Sequence, residues 1–165
     1  MYGTSPLEIM ACNAMLQGEI YCQLFVYSAV FTGATALGAT ATVDVPVPIN
    51  ADSDFIIQEL NLTSFTAADT PEVDPDYTIM LTVAGSGRQL MDRAQTVQNL
   101  CGSFLITKVP HTLPFPALIQ ANNTITVTLT NRSAVASNRC DVSLIGFKIY
   151  YISNTANRHS IFHVL

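Results

Sequence analysis

The chain is poor in charge and has no tryptophan: Asp, Glu, Lys and Arg together make up 12% of its 165 residues. Soluble globular domains typically carry about 25%. That is too little charge to coat a lone monomer, and a chain of this kind hides part of its surface against partners. Basic residues are scarcer still. Only seven Lys and Arg are present against twelve Asp and Glu, for a net charge of −5, and none precedes Arg88. Phosphate recognition needs clustered cations, so direct nucleic-acid binding is excluded as the leading function. Stacking platforms for bases or sugars also lack support, since they need exposed rings with basic flanks.

The four cysteines Cys12, Cys22, Cys101 and Cys140 show no C-x-x-C pairing and are too sparse for a disulfide scaffold, so they read as thiols in a reducing cytosol. The most apolar stretch, Ile20 to Leu37, is broken by Gln23, Ser28, Thr32, Gly33 and Thr35 and is preceded by Glu8 and Glu19. A signal segment or membrane span would carry basic flanks and fewer polar breaks, so no membrane association is expected. Asn61, Asn122 and Asn131 each begin an N-x-[ST] triplet, which here reads as turn-favouring Asn beside strand-favouring Thr or Ser.

What the chain does have is strand pattern. From Met1 to Ala41 no single periodicity persists, and this segment reads as an apolar arm that orders on docking. A short helix near Pro6 to Met15 fits Ser5 as N-cap. From Thr42 the alternation is clear: Val43, Val45, Val47 and Ile49 alternate with Asp44, Pro46 and Pro48, and the prolines place this strand at a sheet edge. Phe55 to Phe65, Tyr77 to Ala84 and Phe104 to Val109 read as further strands. His111 to Pro116 reads as a stiff connector, and Arg88 to Leu100 as a helical turn or crossing loop. Thr124 to Thr130 sets Ile125, Val127 and Leu129 on one face and four threonines on the other. In Cys140 to Ile152 the apolar phase slips at Gly146, which predicts a β-bulge there. Short strands, turns of Gly, Pro and Asn, and no long amphipathic helix predict an all-β fold: an antiparallel β-sandwich, jelly-roll-like, with an extended N-terminal arm. The expected division is an arm over 1–41, a sandwich over 42–152 and a tail over 153–165.

Candidate chemistry is sparse. No nucleophile motif is present, and His111 sits among prolines. His159 and His163 stand four apart, a spacing that suits a metal on a helix face, but no Glu or Cys accompanies them. Asp52 with Asp54, and Asp74 with Asp76, offer paired carboxylates for calcium; without the set positions of a calcium loop they read as solvated turns. Gly85-Ser86-Gly87 is a fragment of a phosphate loop that lacks its Lys. No catalytic, cofactor or metal residue is therefore assigned, and the chain reads as a non-enzyme.

The run from Leu81 to Tyr151 contains Gly85-Ser-Gly87-Arg88-Gln89-Leu90, Asn99-Leu-Cys101-Gly102, His111 to Pro116, Asn122-Asn-Thr124-Ile-Thr126-Val127 and Leu144-Ile-Gly146-Phe147-Lys148. In these features it resembles small virion proteins of tailed bacteriophages. The resemblance implies a capsid decoration or cement protein, assembled in the host cytoplasm and resident in the virion. It further implies homo-oligomers, trimers above all, and contact with the major capsid protein or other virion proteins. A head-tail accessory role, or a carbohydrate-binding sandwich using Tyr150 and the acidic loop Thr66 to Asp76, stands as the alternative.

Overall fold

The structure is a computed structural model in which residue 15 and residues 20–66, 68–72, 75–84, 88–100 and 111–152 are described. Among these residues nine strands form two antiparallel sheets: β1 (Ile20–Thr32), β2 (Thr42–Pro48), β3 (Asp54–Phe65), β4 (Tyr77–Val83), β5 (Arg88–Gln89), β6 (Gln95–Thr96), β7 (His111–Ile119), β8 (Thr124–Asn131) and β9 (Arg139–Tyr151). The first sheet has the order β1-β9-β3-β7; the second has β2-β8-β4-β5, with β6 also on β4. Except within the β4–β5–β6 run, every connection passes from one sheet to the other. This is the wrapping of a jelly roll.

Alternation explains why the sheets pack. β8 buries Ile125, Val127, Leu129 and Asn131 and turns its threonines outward, and β4 buries Tyr77, Ile79, Leu81 and Val83. Facing them are Tyr27, Ala29 and Phe31 of β1, Phe55, Ile57, Leu60 and Leu62 of β3, and Cys140, Val142 and Leu144 of β9, all in one core. The proline-bearing β2 lies at the edge of its sheet, as its composition predicts.

Three expectations are revised. The supposed arm, Met1 to Ala41, belongs to the sandwich from Ile20 onward. β1 pairs with β9 over its whole length, and residues 36–41 are tied to the loop after β8: Ser137 N donates to Leu37 O, Thr40 N to Ser133 O, and Asn131 Nδ2 to Gly38 O. β1 hides its period because it carries apolar side chains on both faces. Second, His111 to Pro116 is not a connector but the first part of β7, an edge strand where prolines cost no ladder bond. Third, β9 stays in register with β1 through Gly146; the bulge lies across from it in β3, between Ile57 and Glu59. Gly146 is there because a Cβ would run into the carbonyl oxygen of Ile56. The Arg88 to Leu100 segment forms β5, β6 and a helical turn over Val97–Leu100. The strand expected over Phe104 to Val109, the tail from Ser153 and, short of its last residue Met15, the helix near Pro6 lie outside the described residues.

Candidate interaction surface

The outward face of the first sheet and its β1 edge, against which no strand lies among the described residues, form the candidate contact surface. Along β1, the odd-numbered residues Tyr27, Ala29 and Phe31 enter the core, while Ile20, Cys22, Leu24, Val26, Ser28 and Val30 point away from it. Near the start of the strand these outward residues are covered: Ile20 joins Ile56 and Ile149 in a small buried cluster, with Cys22, Leu118 and Tyr151 against it. Further along they are not. Leu24 is 64% exposed, Val26 46% and Val30 37%. Their partners across the ladder are Phe147, Ile145 and Asp141. Leu24, Val26, Ile145 and Phe147 thus make an apolar band on a face that an antiparallel sheet ordinarily turns to water with polar residues. Contiguous apolar surface left partly open makes this band a candidate contact site.

The pole at which β1 begins is held by two buried charged residues of β3 and β9. Lys148 points inward, with Nζ 4.3 Å from the centre of the Phe25 ring and 5.8 Å from that of Tyr27, and reaches Asp52 at 3.6 Å. The ammonium is therefore held between aromatic faces and one half-exposed carboxylate. Asp54 is buried and accepts two bonds, from Ala121 N at 2.8 Å and Tyr151 Oη at 2.7 Å. The carboxylates of Asp52 and Asp54, two positions apart in the sequence, are thus used separately, one as an ion-pair partner and one as a loop anchor. Asp54→Ala should strand both donors and cost about 2–3 kcal/mol. Thermal melting would then fall by roughly 4–12 °C, with a smaller loss for Asp54→Asn, which keeps one acceptor oxygen.

At the opposite pole a shallow cleft of about 360 Å³ is lined by Thr66, Pro71, Glu72, Pro75, Asp76, Tyr77 and Ser133. Tyr77 Oη donates to Glu72 Oε2 at 2.9 Å. Burial pushes the Tyr77 hydroxyl far above its ordinary range, and the Glu72 carboxylate adds to this, so it serves as a fixed donor and not as a base. Asp76 faces Arg132 at 3.9 Å. Nearby, Arg139 is held at 2.7 Å by Asp141, whose hydrogen bond and charge raise the guanidinium's pKa above its ordinary value.

Other sequence candidates do not converge. Tyr150 stacks near Tyr21, with ring centroids 6.0 Å apart, at the β1-start pole, whereas the acidic loop follows Phe65, which pairs with Arg139. Arg139 and Tyr150 are eleven residues apart along β9, about 36 Å at roughly 3.3 Å per residue. They cannot share one sugar, which removes the two-part site proposed for a carbohydrate. Cys22 and Cys140 lie on opposite faces of the sheet, so they cannot bridge each other. Asn131 is buried and its Nδ2 donates to Gly38 O and Val135 O, leaving no amide for a glycan. Among the described residues no group of three or more His, Cys, Asp or Glu converges on a metal position, and no helix is long and apolar enough to cross a membrane. His111 begins β7 opposite Leu60. His159, His163, Asp74, Gly85 to Gly87, Cys12 and Cys101 lie outside the described residues.

Sequence reasoning misses the exposed band because it expects outward strand positions to be polar. The signal that finds it is thirteen consecutive residues without one charge.

No protein-family model matches the chain, and no curated protein matches it. Among solved structures, an arabinose-bound MgGH51 α-L-arabinofuranosidase aligns with 82% of this chain at 12% identity and a TM-score of 0.31. The chain spans about a quarter of that protein's length, 24%. The strand order alone defines the class, a jelly-roll sandwich, and nothing is taken from the likeness to that hydrolase.

Proposed function

We propose that this chain is a structural subunit of a virion, a capsid decoration or cement protein of a tailed-phage type that stabilises a particle by packing against neighbouring subunits. One observation carries the reading: the uncharged band of Leu24, Val26, Ile145 and Phe147, left open on a sheet whose other face fills the core. The jelly roll supplies a rigid block, and the band supplies the area to be buried, at roughly 25 cal/mol per Å² before ordering costs. The same fold serves capsid and lectin domains alike, so it is the surface, not the fold, that favours packing. Neighbouring copies and the major capsid protein are the partners proposed, and the virion, assembled in host cytoplasm, is the location.

Shells assembled without the chain should bind the purified protein saturably and withstand heating better. Leu24→Lys with Phe147→Lys should weaken that binding at least tenfold while circular dichroism stays unchanged. Wild-type protein that ignores shells would overturn the proposal. A head-tail role would instead give one labelled vertex per particle in immunogold images.

A further inference from the structure

The two sheets have four outer edges: β1 and β7 in the first, β2 and the β5/β6 pair in the second. An open edge offers unpaired N–H and C=O groups to any passing strand, and natural sheets blunt it with proline, charge or brevity. Three of these edges are blunted. β2 carries Pro46 and Pro48, β7 carries Pro114 and Pro116, and β5 and β6 are two residues each. β1 is different: 13 residues, no proline, no glycine and no charged side chain, with β9 on one side and no strand on the other among the described residues.

We propose that β1 pairs antiparallel with β1 of a second copy, joining two four-stranded sheets into one eight-stranded sheet across a twofold axis at Val26. This deepens the packing reading above by naming one of the neighbours. A twofold contact must be self-complementary, and β1 is. With the two strands fully overlapped, Val26 faces Val26, Leu24 faces Ser28 and Cys22 faces Val30 on the outward side. No like charges meet; Val26 opposes Val26 and Val30 opposes Cys22, apolar pairs that favour cross-strand contact, while Leu24 meets the small Ser28. A charged partner strand would find no opposite charge on β1 to fix its register, whereas a second copy finds its own pattern reversed. The result is a twofold pair, where the resemblance to virion proteins implies trimers.

Sedimentation velocity on the full chain across a concentration series should show a reversible dimer. Val26→Lys and Ser28→Lys, each placing ammonium groups near the axis, should raise its Kd at least a hundredfold with unchanged circular dichroism. Val26→Cys under mild oxidation should give a disulfide dimer, mapped by peptide mass spectrometry to the 26–26 bond, and Leu24→Cys should give far less 24–24 product. A monomer at every concentration, or association that survives both lysine variants, overturns the inference. So does a dimer broken by Ile145→Lys on β9 but not by the β1 variants, which would leave face packing, and the virion reading, intact. A dimer with the expected behaviour that never binds shells supports the edge pairing and sinks the virion reading instead.

Discussion

Gly146→Ala should fail to give a stable fold, or fold with a loss of about 3 kcal/mol or more. A Cβ at this position would overlap the Ile56 carbonyl oxygen and stand 2.9 Å from its carbonyl carbon, with Phe55 Cζ at 3.1 Å. The obstacle is backbone, so no rotamer change relieves it. Either β3 loses its bulge or β9 moves away, and each response disturbs two ladders at the centre of the sheet. Overpacking in a core ordinarily costs about 1–3 kcal/mol, and more where nothing can yield. Gly38→Ala is the matched control: its Cβ would meet Ala41 Cβ at 3.6 Å, an ordinary contact, and stability should stay within about 0.5 kcal/mol. Urea denaturation of the two variants beside the wild type checks the contrast. A Gly146→Ala protein as stable as the control would mean that the Ile56 carbonyl gives way without cost.

Phe55→Ala should cost about 3–5 kcal/mol. Phe55 is fully buried and meets Tyr27 edge-on at 4.9 Å between centroids, and Tyr27 in turn packs on Phe25 at 4.8 Å. The Tyr27 hydroxyl accepts from Asn50 N at 3.2 Å, so the ring stack ties the loop before β3 to the core. Removing Phe55 therefore takes away a side chain and also the floor under the residue that holds this loop. Phe55→Leu, which keeps most of the volume, should lose much less. Equal losses for the two substitutions would show that the site collapses freely and that the ring stack adds nothing.

The parts of the fold that are legible in the sequence are those where one face is apolar and the other is polar. β8 is the clearest case: its threonines and its Ile125, Val127 and Leu129 state both the strand and its inner side. β1 is illegible for the opposite reason. Tyr27, Ala29 and Phe31 serve the core while Leu24, Val26 and Val30 stay outside, so the period of two is present but has no polar half to reveal it. β7 is hidden by prolines that only an edge can accept. Gly146 does signal a bulge, but the bulge belongs to the neighbouring strand, because a glycine made necessary by a neighbour's backbone looks the same in one dimension as a glycine that bends its own.

The candidate surface is half legible. Low charge points to a covered surface, but the sequence places the surplus in an arm and not on a sheet. Asp52 and Asp54 show the limit of proximity along the chain as a guide to chemistry: two residues apart, they serve a lysine and a loop. Tyr150 and the acidic loop show the converse, since the register of β9 alone separates them by the length of the sandwich.

In the ladder between β1 and β9, Ile20 lies directly across from Tyr151. The first strand thus begins beside the end of the last, at the pole of Lys148 and Asp54 and away from the loop 132–138. Anything fused ahead of Ile20 or behind Tyr151 is delivered to that same pole.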